Sequence, residues 1–286
     1  MHRCVILFAA FFVAVPVYAQ DAKIKSEKKI VYGKGEDVDL ELDLAMPAEG
    51  KGPFPAVVCI HGGGWKSGSR QQLTALTEHL AKNNFVAVTV TYRFAPKYKF
   101  PAQIEDCKAS VRWLRANAEK YSVNPDKIGA VGFSAGGHLA CLLGAADEKA
   151  GLEGKGGNPK QSTKIQAVVS FFGPTDFTDK SWNAAAETTF FVPFLGGRYE
   201  EKKDAYRQAS PIIYCTKEAP PFLFFHGTKD PLVSIEQSQK MSKKLTGLGV
   251  SAELVTMEGE GHGWSGEKLL KTIDQTTRFF KDKLQK

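Results

Sequence analysis

Runs of consecutive apolar residues alternate, along most of the chain, with segments in which apolar residues recur every three or four positions. An uninterrupted apolar run of about 4–8 residues is typical of a strand that is buried on both faces. The runs that predict strands are 54–60, 85–91, 128–131, 167–172, 221–225 and 252–257. Because strands and helices alternate, we expect an α/β fold with a mostly parallel central sheet and helices on both faces.

The segments that predict helices are 71–83, 102–119, 137–143, 236–248 and 267–285. Residues 144–163 are rich in glycine, lysine and proline and have little periodicity, which predicts a surface loop. Residues 176–215 are the least regular part, with bulky apolar residues between polar ones. This segment fits either a small cap inserted over a functional site or an ordinary helical crossover.

The first part of the chain has a different pattern. Residues 38–44 alternate apolar and polar side chains, which predicts a half-exposed strand. We expect an antiparallel edge of the sheet to begin at this strand. Residues 21–29 are mostly polar, and we expect them to be loosely structured.

At 286 residues and 43% hydrophobic content, the chain can bury one large core, and its length demands no second domain. Residues 1–19 have the pattern of a cleaved secretory signal peptide, with Arg3 at the start, an apolar stretch at 5–15 and small residues ending at Ala19. The apolar stretch is shorter than the ~20 residues that a membrane span needs. We therefore expect one domain over residues 20–286, secreted or periplasmic, with no membrane span.

The charge of the chain does not favour a nucleic-acid partner. The formal net charge is +7, and removal of Arg3 leaves +6, since 37 basic and 31 acidic residues remain. No dense Lys/Arg tract interleaved with aromatic residues occurs, so we expect no nucleic-acid binding. Export permits disulfides, but four cysteines allow several pairings, and their pairing stays open. These cysteines, none with metal-ligand spacing, are Cys59, Cys107, Cys141 and Cys215.

Between an apolar run and a helical segment of small residues lies the pentapeptide Gly132-Phe133-Ser134-Ala135-Gly136. A G-x-S-x-G spacing in a strand-turn-helix context is typical of a nucleophile elbow. The sharp turn crowds the backbone around the serine, so only glycine fits two residues before and after it. The hydroxyl of Ser134 is then exposed at the tip of the turn, and we predict that it is a nucleophile.

A serine hydroxyl is a weak nucleophile at neutral pH and needs a base that a third group orients. His262 lies in a glycine-flanked loop after the last predicted strand, where an imidazole can reach the carboxyl edge of the sheet. We predict that His262 is the base. The other histidines fall in the signal peptide, a turn, two helices or a strand end: His2, His61, His79, His138 and His226.

Two aspartates, Asp176 and Asp230, follow buried strands and could orient the base. Open α/β sheets place their sites at the carboxyl ends of strands. The alternative for Asp230 is a purely structural role in a turn, because it precedes a proline. We favour Asp230, because it gives the chain order Ser134, Asp230, His262 that is typical of α/β-hydrolases.

Attack on a carbonyl group also needs donors for the oxyanion that forms. The N–H of Ala135, at the start of the helix after the serine, is one such donor. The glycine-rich loop after strand 54–60 supplies others, and we predict the N–H groups of Gly63 and Gly64. A phosphate cradle is the alternative for this loop, but no lysine-serine pair in P-loop spacing follows it.

These motifs give the chain a specific resemblance to known proteins. From Val38 to the C-terminus it resembles the esterase/lipase branch of the α/β-hydrolase superfamily that has an HGGGW loop, including the feruloyl and acetyl xylan esterase-like group. The resemblance implies the same triad and oxyanion donors. The hormone-sensitive-lipase branch has aspartate where this chain has Phe133, which argues against a lipid substrate. The most specific stretches are the HGGGW loop 61–65 and residues 91–96, 132–138 and 226–230.

We therefore expect a secreted carboxylic-ester hydrolase that forms an acyl-enzyme on Ser134 and acts on small-acyl esters, without a metal or organic cofactor. The resemblance and the signal peptide favour acetyl or feruloyl groups on polysaccharide. An apolar acyl pocket is predicted from Trp65, Phe94 and Phe172, although each could equally be a core residue.

Three other functions fit parts of the same pattern. A prolyl-oligopeptidase-like serine peptidase shares the triad order, but no propeller or other gating domain is evident before residue 38. A non-catalytic binding protein on the same fold has no need of an intact triad and two oxyanion elements. An intracellular amide hydrolase such as a kynurenine formamidase also resembles the chain, and export would count against it.

Overall fold

The computed structural model describes residues 23–286, which contain one sheet of eight strands. In chain order the strands are β1 (Ile24–Gly35), β2 (Val38–Pro47), β3 (Phe54–Ile60), β4 (Val86–Val90), β5 (Val123–Phe133), β6 (Ala167–Phe171), β7 (Phe222–Gly227) and β8 (Ala252–Met257). Their spatial order is β1-β2-β4-β3-β5-β6-β7-β8. β2 pairs antiparallel with β1 and β4, and all other neighbours pair in parallel. The prediction of a mostly parallel sheet is confirmed.

Helices connect the strands, as the apolar spacing predicts. They are α1 (Thr74–Lys82), α2 (Ala102–Ala116), α3 (Ala135–Ala145), α4 (Ala184–Ala186), α5 (Val192–Leu195), α6 (Lys203–Gln208), α7 (Glu236–Gly247) and α8 (Gly266–Leu284). Short 3₁₀ turns cover Arg70–Leu73, Glu148–Ala150 and Pro211–Tyr214, and a π-helical turn covers Glu187–Phe191.

The central strand β3 shows why its sequence is apolar without interruption. Ala56, Val58 and Ile60 belong to the core on the face that α2, α3 and α7 cover. Val57 and Cys59 belong to the core on the opposite face, beneath α1 and α8. All five side chains are fully buried. Both faces of the sheet are therefore covered, as expected for parallel strands.

The amino-terminal edge of the sheet differs from the prediction. Of the segment 21–29, residues 24–29 are not loose, because β1 begins at Ile24 and pairs with β2 along its length. Most side chains of β1 are exposed, so its lysines and glutamates stay in water while its backbone pairs. Such a strand lacks the apolar alternation from which strands are predicted. Consequently β2 is the second strand rather than the edge, and it is more buried than expected.

The strand before the serine also begins earlier than predicted. Its pairing with β3 starts at Val123 opposite Phe54 and resumes at Ile128 opposite Ala56. Residues 124–127 therefore bulge out of the ladder, with Pro125 and two charged residues among them. The polar residues before the apolar run 128–131 therefore form a bulge within β5.

Residues 176–215 lie between β6 and β7 and consist of α4–α6 with the π-helical and last 3₁₀ turns. Phe191, Phe194 and Tyr206 of this segment are buried in the core that α3 also contributes to. Trp182, Ala186 and Phe190 face a cavity at the carboxyl ends of the strands. Part of the segment therefore belongs to the core, and part of it borders the cavity.

The predicted signal peptide, residues 1–19, lies outside the described residues. From residue 23 onward, no helix is both long enough and apolar enough to cross a membrane. Within the same range, the thiols are buried and none forms a disulfide: Cys59, Cys107, Cys141 and Cys215.

Candidate active site

Ser134 occupies the tight turn between β5 and α3, with φ 54° and ψ −119°. Only glycine is compatible with the positions two residues away. A Cβ on Gly132 would lie 2.0 Å from the carbonyl oxygen of Gly136, and a Cβ on Gly136 would lie 2.1 Å from that of Ile60. The N–H of Ser134 donates to the carbonyl of Phe171, 2.8 Å away, which fixes the turn against β6.

Three side chains from distant parts of the sequence meet at this turn. His262 Nε2 lies 2.8 Å from Ser134 Oγ, and His262 Nδ1 lies 2.7 Å from Asp230 Oδ2. Nδ1–H donates to the carboxylate, so Nε2 is free to accept the serine proton. Asp176, the other aspartate considered, instead accepts hydrogen bonds from the backbone N–H and hydroxyl of Thr178. The structure thus brings together Ser134, His262 and Asp230.

The side chain of Asp230 is fully buried, and both of its carboxylate oxygens have donors. Oδ1 accepts the N–H groups of Leu232 and Val233, at 2.9 and 3.0 Å. Oδ2 accepts from His262 and lies 3.3 Å from Nε2 of His226. Burial alone would raise the pKa of the Asp230 carboxyl, but the hydrogen bonds from His226 and His262 hold it well below its ordinary value. The carboxylate therefore stays ionised at neutral pH.

His226 lies beside Asp230, a position that was not predicted. Its Nε2 lies 2.8 Å from the carbonyl oxygen of Val233 and must be protonated to donate there. Its Nδ1 then accepts from the hydroxyl of Ser238, 2.8 Å away. The ring is fully buried. The sequence could have indicated this contact, because His226 and Asp230 are only four residues apart around the end of the same strand.

The glycine loop passes directly beside Ser134. A Cβ on Gly62 would lie 3.3 Å from that of Ser134, and a Cβ on Gly63 would lie 2.1 Å from the carbonyl oxygen of Ser67. Gly63 and Gly64 both have positive φ, 118° and 59°. Within residues 23–286, no group accepts their N–H hydrogens. Ala135 is the first residue of α3, so its N–H has no partner within the helix.

His61 braces this loop, as the sequence suggests. Its Nδ1 donates to the carbonyl of Gly62, 2.7 Å away, and its ring stacks on that of Tyr92 with centroids 4.5 Å apart. The Tyr92 hydroxyl donates in turn to the carbonyl of His61, at 3.1 Å. Burial lowers the pKa of His61 to about 4, so the ring is neutral at physiological pH.

Trp65 connects the glycine loop to α3 and to segment 176–215. Its indole N–H donates to Nδ1 of His138, 3.0 Å away, and Nε2–H of His138 donates to the carbonyl of Ala209, at 2.7 Å. The Trp65 ring stacks on Phe194 with centroids 4.3 Å apart. Burial lowers the pKa of His138 to about 3, which keeps it neutral and able to accept from Trp65. This link through His138 was not predicted.

The segment 176–215 touches the loop at a second point. Lys66 Nζ donates to the carbonyl of Thr189, 3.0 Å away, within the π-helical turn. A Cβ on Gly64 would lie 2.8 Å from the ring of Phe190 in the same turn. π-Helical turns are frequent at functional sites. The turn therefore forms one wall over the predicted oxyanion donors.

A cavity of about 500 Å³, with mostly apolar walls, opens over Ser134. Trp65 and Phe172 line it, as predicted, and the Phe172 ring lies 4.6 Å from that of His262. Phe94 is not among the lining residues. It packs edge-on against His61 and Tyr92 behind the loop, since the chain turns away from the cavity after β4. Other apolar walls come from Phe133, Phe171, Trp264, Trp182, Phe190 and Phe191.

Comparison with known proteins identifies the family of the chain. Residues 42–245 match the BD-FAE family. The esterase LipC of Mycobacterium tuberculosis is 32% identical over 248 residues, which cover 83% of this chain and 59% of LipC. The chain spans about half to three fifths of the length of the curated mycobacterial relatives that it matches.

Two solved structures extend the similarity to the fold. A truncated carbohydrate esterase from gut microbiota has a TM-score of 0.81 and 27% identity, and the match covers 94% of this chain and 99% of that one. A propionate-bound esterase of Thermogutta terrifontis has a TM-score of 0.75 and 29% identity, with 91% and 94% covered. The chain therefore has the α/β-hydrolase fold that its sequence predicts.

Proposed function

The chain belongs to the BD-FAE family, and we propose that it is a serine carboxylic-ester hydrolase in which Ser134, His262 and Asp230 are the catalytic triad. One observation carries this proposal: the unbroken hydrogen-bond chain from Ser134 Oγ through His262 to Asp230. The relatives that share the fold are named as esterases, which supports the same reaction class.

The first half of the reaction transfers one proton from Ser134 to His262 and then to the alcohol. Ser134 Oγ attacks the ester carbonyl carbon while His262 Nε2 takes its proton. The oxyanion accepts the N–H groups of Gly63, Gly64 and Ala135, each donor contributing roughly 3 kcal/mol in comparable enzymes. Collapse of this intermediate breaks the carbon–oxygen bond, and His262 returns the proton to the departing alcohol.

Water completes the cycle. It attacks the acyl-enzyme carbonyl, His262 takes one water proton, and the acid leaves as Ser134 recovers its hydrogen. Asp230 remains ionised throughout, holds the Nδ1–H tautomer of His262 and stabilises the imidazolium. An acyl group bound in the apolar cavity would displace water, which would strengthen these electrostatic interactions.

We further propose that the substrates are small-acyl esters, with acetyl or feruloyl groups on polysaccharide as the natural ones. The mostly apolar cavity above Ser134 supports an acyl group without charge. One structural relative binds propionate and another is described as a carbohydrate esterase. Export of the chain rests on the signal-like residues 1–19 alone. Residues 20–286 would form one domain with 176–215 as its cap.

The test is hydrolysis of p-nitrophenyl acetate, butyrate and octanoate by residues 20–286 and by Ser134→Ala. We expect rates that fall with chain length and a loss of at least about 10⁴-fold in kcat for the variant. The matched control is Ser251→Ala. This exposed serine directly precedes β8, at the end of the strand away from the His262 loop. Activity that survives in Ser134→Ala, or absence of activity in the wild type, would contradict the proposal.

Acetylated xylan tests the polysaccharide part separately. A kcat/KM for xylan acetate well above that for simple soluble acetates supports a carbohydrate substrate. Near-equal values for the two substrate classes contradict it. Cleavage of a proline-containing peptide, without ester hydrolysis, would instead indicate a peptidase.

A further inference from the structure

A second, polar cleft of about 180 Å³ lies beside the active-site cavity. The two spaces share Trp182 and Leu232 as walls, and Asp230 also lines the polar one. The cleft is lined by side chains that carry hydroxyl or amide groups, in contrast to the apolar cavity. These are Ser181, Asn183, Thr228, Ser234 and Gln237.

The proton path determines which part of an ester would lie near this cleft. His262 Nε2 must reach the oxygen of the departing alcohol in order to protonate it. The alcohol therefore lies on the His262 side of Ser134, whereas the carbonyl oxygen lies towards Gly63 and Gly64. On the His262 side, Leu232 and Val233 line the cavity, and Leu232 continues into the polar cleft.

We propose that the polar cleft is the subsite for the alcohol part of the substrate, which in a polysaccharide ester is a sugar residue. The inference rests on the proposed ester hydrolysis at Ser134 and adds a place for the leaving group. Sugar hydroxyls both donate and accept hydrogen bonds, which matches the mixed amide and hydroxyl lining.

The amide of Asn183 is held ready for such a contact. Its Oδ1 accepts the N–H of Ala186, 2.8 Å away, at the start of α4. This bond fixes the side chain and leaves the two N–H hydrogens of the amide for another acceptor. Asn183 and its neighbour Ser181 are both exposed, so a bound molecule can reach them.

Hydrogen bonds and ring contacts hold the wall and floor of the cleft. The Trp182 indole N–H donates to the carbonyl of Asp176, 2.7 Å away, and its ring packs edge-on against Phe191 with centroids 4.9 Å apart. Gln237 is buried, and its Oε1 accepts the N–H groups of Thr175 and Asp176, at 2.9 and 2.7 Å. A fixed aromatic wall beside fixed polar groups is a preorganised surface for a ring with hydroxyl groups.

The test compares two substrates that share an acetyl group and differ in the alcohol: acetylated xylo-oligosaccharide and p-nitrophenyl acetate. The variant Ser181→Ala/Asn183→Asp removes one hydroxyl and the amide hydrogens but keeps an acceptor for Ala186 N–H. We expect its kcat/KM on the oligosaccharide to fall about tenfold relative to that on p-nitrophenyl acetate, as for the loss of one or two hydrogen bonds. KM should carry most of the change.

Asn124→Asp is the matched control. Asn124 also accepts a backbone N–H through its side chain, 3.0 Å from Asp126 N, but lies in the β5 bulge. In this control, the ratio of kcat/KM on the oligosaccharide to kcat/KM on p-nitrophenyl acetate should equal that of the wild type. A ratio unchanged in the double variant, an equal fall on both substrates, or wild-type inactivity on the oligosaccharide alone would overturn the subsite. Wild-type inactivity on p-nitrophenyl acetate would instead overturn the proposed hydrolysis itself.

Discussion

Nε2 of His226 lies 3.3 Å from the Asp230 carboxylate oxygen that also accepts the hydrogen bond of His262. The two residues are four apart in sequence, at the end of β7 and in the turn after it. His226 is itself held by Ser238 and by the carbonyl of Val233. The carboxylate is thus aligned by a second, fully buried imidazole besides that of His262.

This arrangement predicts that His226 positions Asp230. We expect His226→Leu to lower kcat about tenfold, equivalent to roughly 1.4 kcal/mol of activation free energy, with little change in KM. His226→Gln, whose amide can still donate towards Asp230, should recover part of the loss. Steady-state kinetics on p-nitrophenyl acetate provide both constants. A purely structural histidine would give equal losses for the two variants, or a change confined to thermal stability.

The glycine loop predicts a contrast between Gly63→Ala and Gly64→Ala. At Gly63, where φ is 118°, the added Cβ would lie 2.1 Å from backbone of Ser67, so the loop must move. At Gly64, φ is 59° and the close neighbour is the Phe190 side chain. We expect Gly63→Ala to lower kcat by about 10²–10³, as loss of an oxyanion donor does.

Gly64→Ala should cost less, because a phenylalanine ring can rotate aside and a left-handed alanine costs only about 1–2 kcal/mol. The rates of both variants on p-nitrophenyl acetate test the contrast. Circular dichroism checks that both variants are folded. Equal activity in the two variants would show that the loop does not hold the donors in the predicted positions.

The burial of His138 predicts a loss of stability at acid pH. Its pKa falls from 6.5 to about 3 on folding, so the unfolded chain binds a proton first as the pH drops below 6.5. The free energy of unfolding therefore decreases as the pH falls from 6.5 to 3. At pH 5 this histidine lowers it by about 2 kcal/mol.

The variant His138→Gln removes that titration while keeping a donor and an acceptor for Ala209 and Trp65. Between pH 7.5 and pH 5, its free energy of unfolding should fall about 2 kcal/mol less than that of the wild type. Urea unfolding at the two pH values measures both. Parallel losses in the two proteins would contradict the prediction.

The backbone conformation of Ser134 predicts that a substitution at this residue can raise the stability of the protein while it removes activity. Its φ of 54° is a conformation that costs a non-glycine residue about 1–3 kcal/mol. Ser134→Gly should raise the free energy of unfolding by about 1 kcal/mol, after the greater flexibility of unfolded glycine is included, while activity is lost. Ser134→Ala should stay near the wild type in stability. A less stable glycine variant in urea unfolding would contradict this.

The sequence was informative where backbone geometry limits the choice of residue. Gly132 and Gly136 have no room for a Cβ, so their spacing around Ser134 identifies the turn. Strand ends and loop positions then lead to Asp230 and His262, which the structure brings to hydrogen-bond distance. The buried strands were predicted because both faces of a parallel sheet are apolar.

Features that depend on tertiary neighbours were missed. β1 pairs through its backbone with mostly exposed side chains, so no apolar pattern reveals it. The contact between Trp65 and His138 joins residues 73 positions apart, and nothing local indicates it. Phe94 has the composition of a pocket residue, but the direction of the chain after β4 places it against His61.

The exposed strand at the amino-terminal edge has a consequence for the behaviour of the protein at high concentration. A flat, regular outer strand would present free backbone groups to which a second molecule could add its own strand, and fibrous aggregates grow in this way. β1 has irregular register between Glu27 and Ile30 and between Val31 and Gly33, and it presents charged side chains such as Lys25 and Lys28. These irregularities and charges protect the sheet from growth at this side, and they do so far from the residues that carry the chemistry.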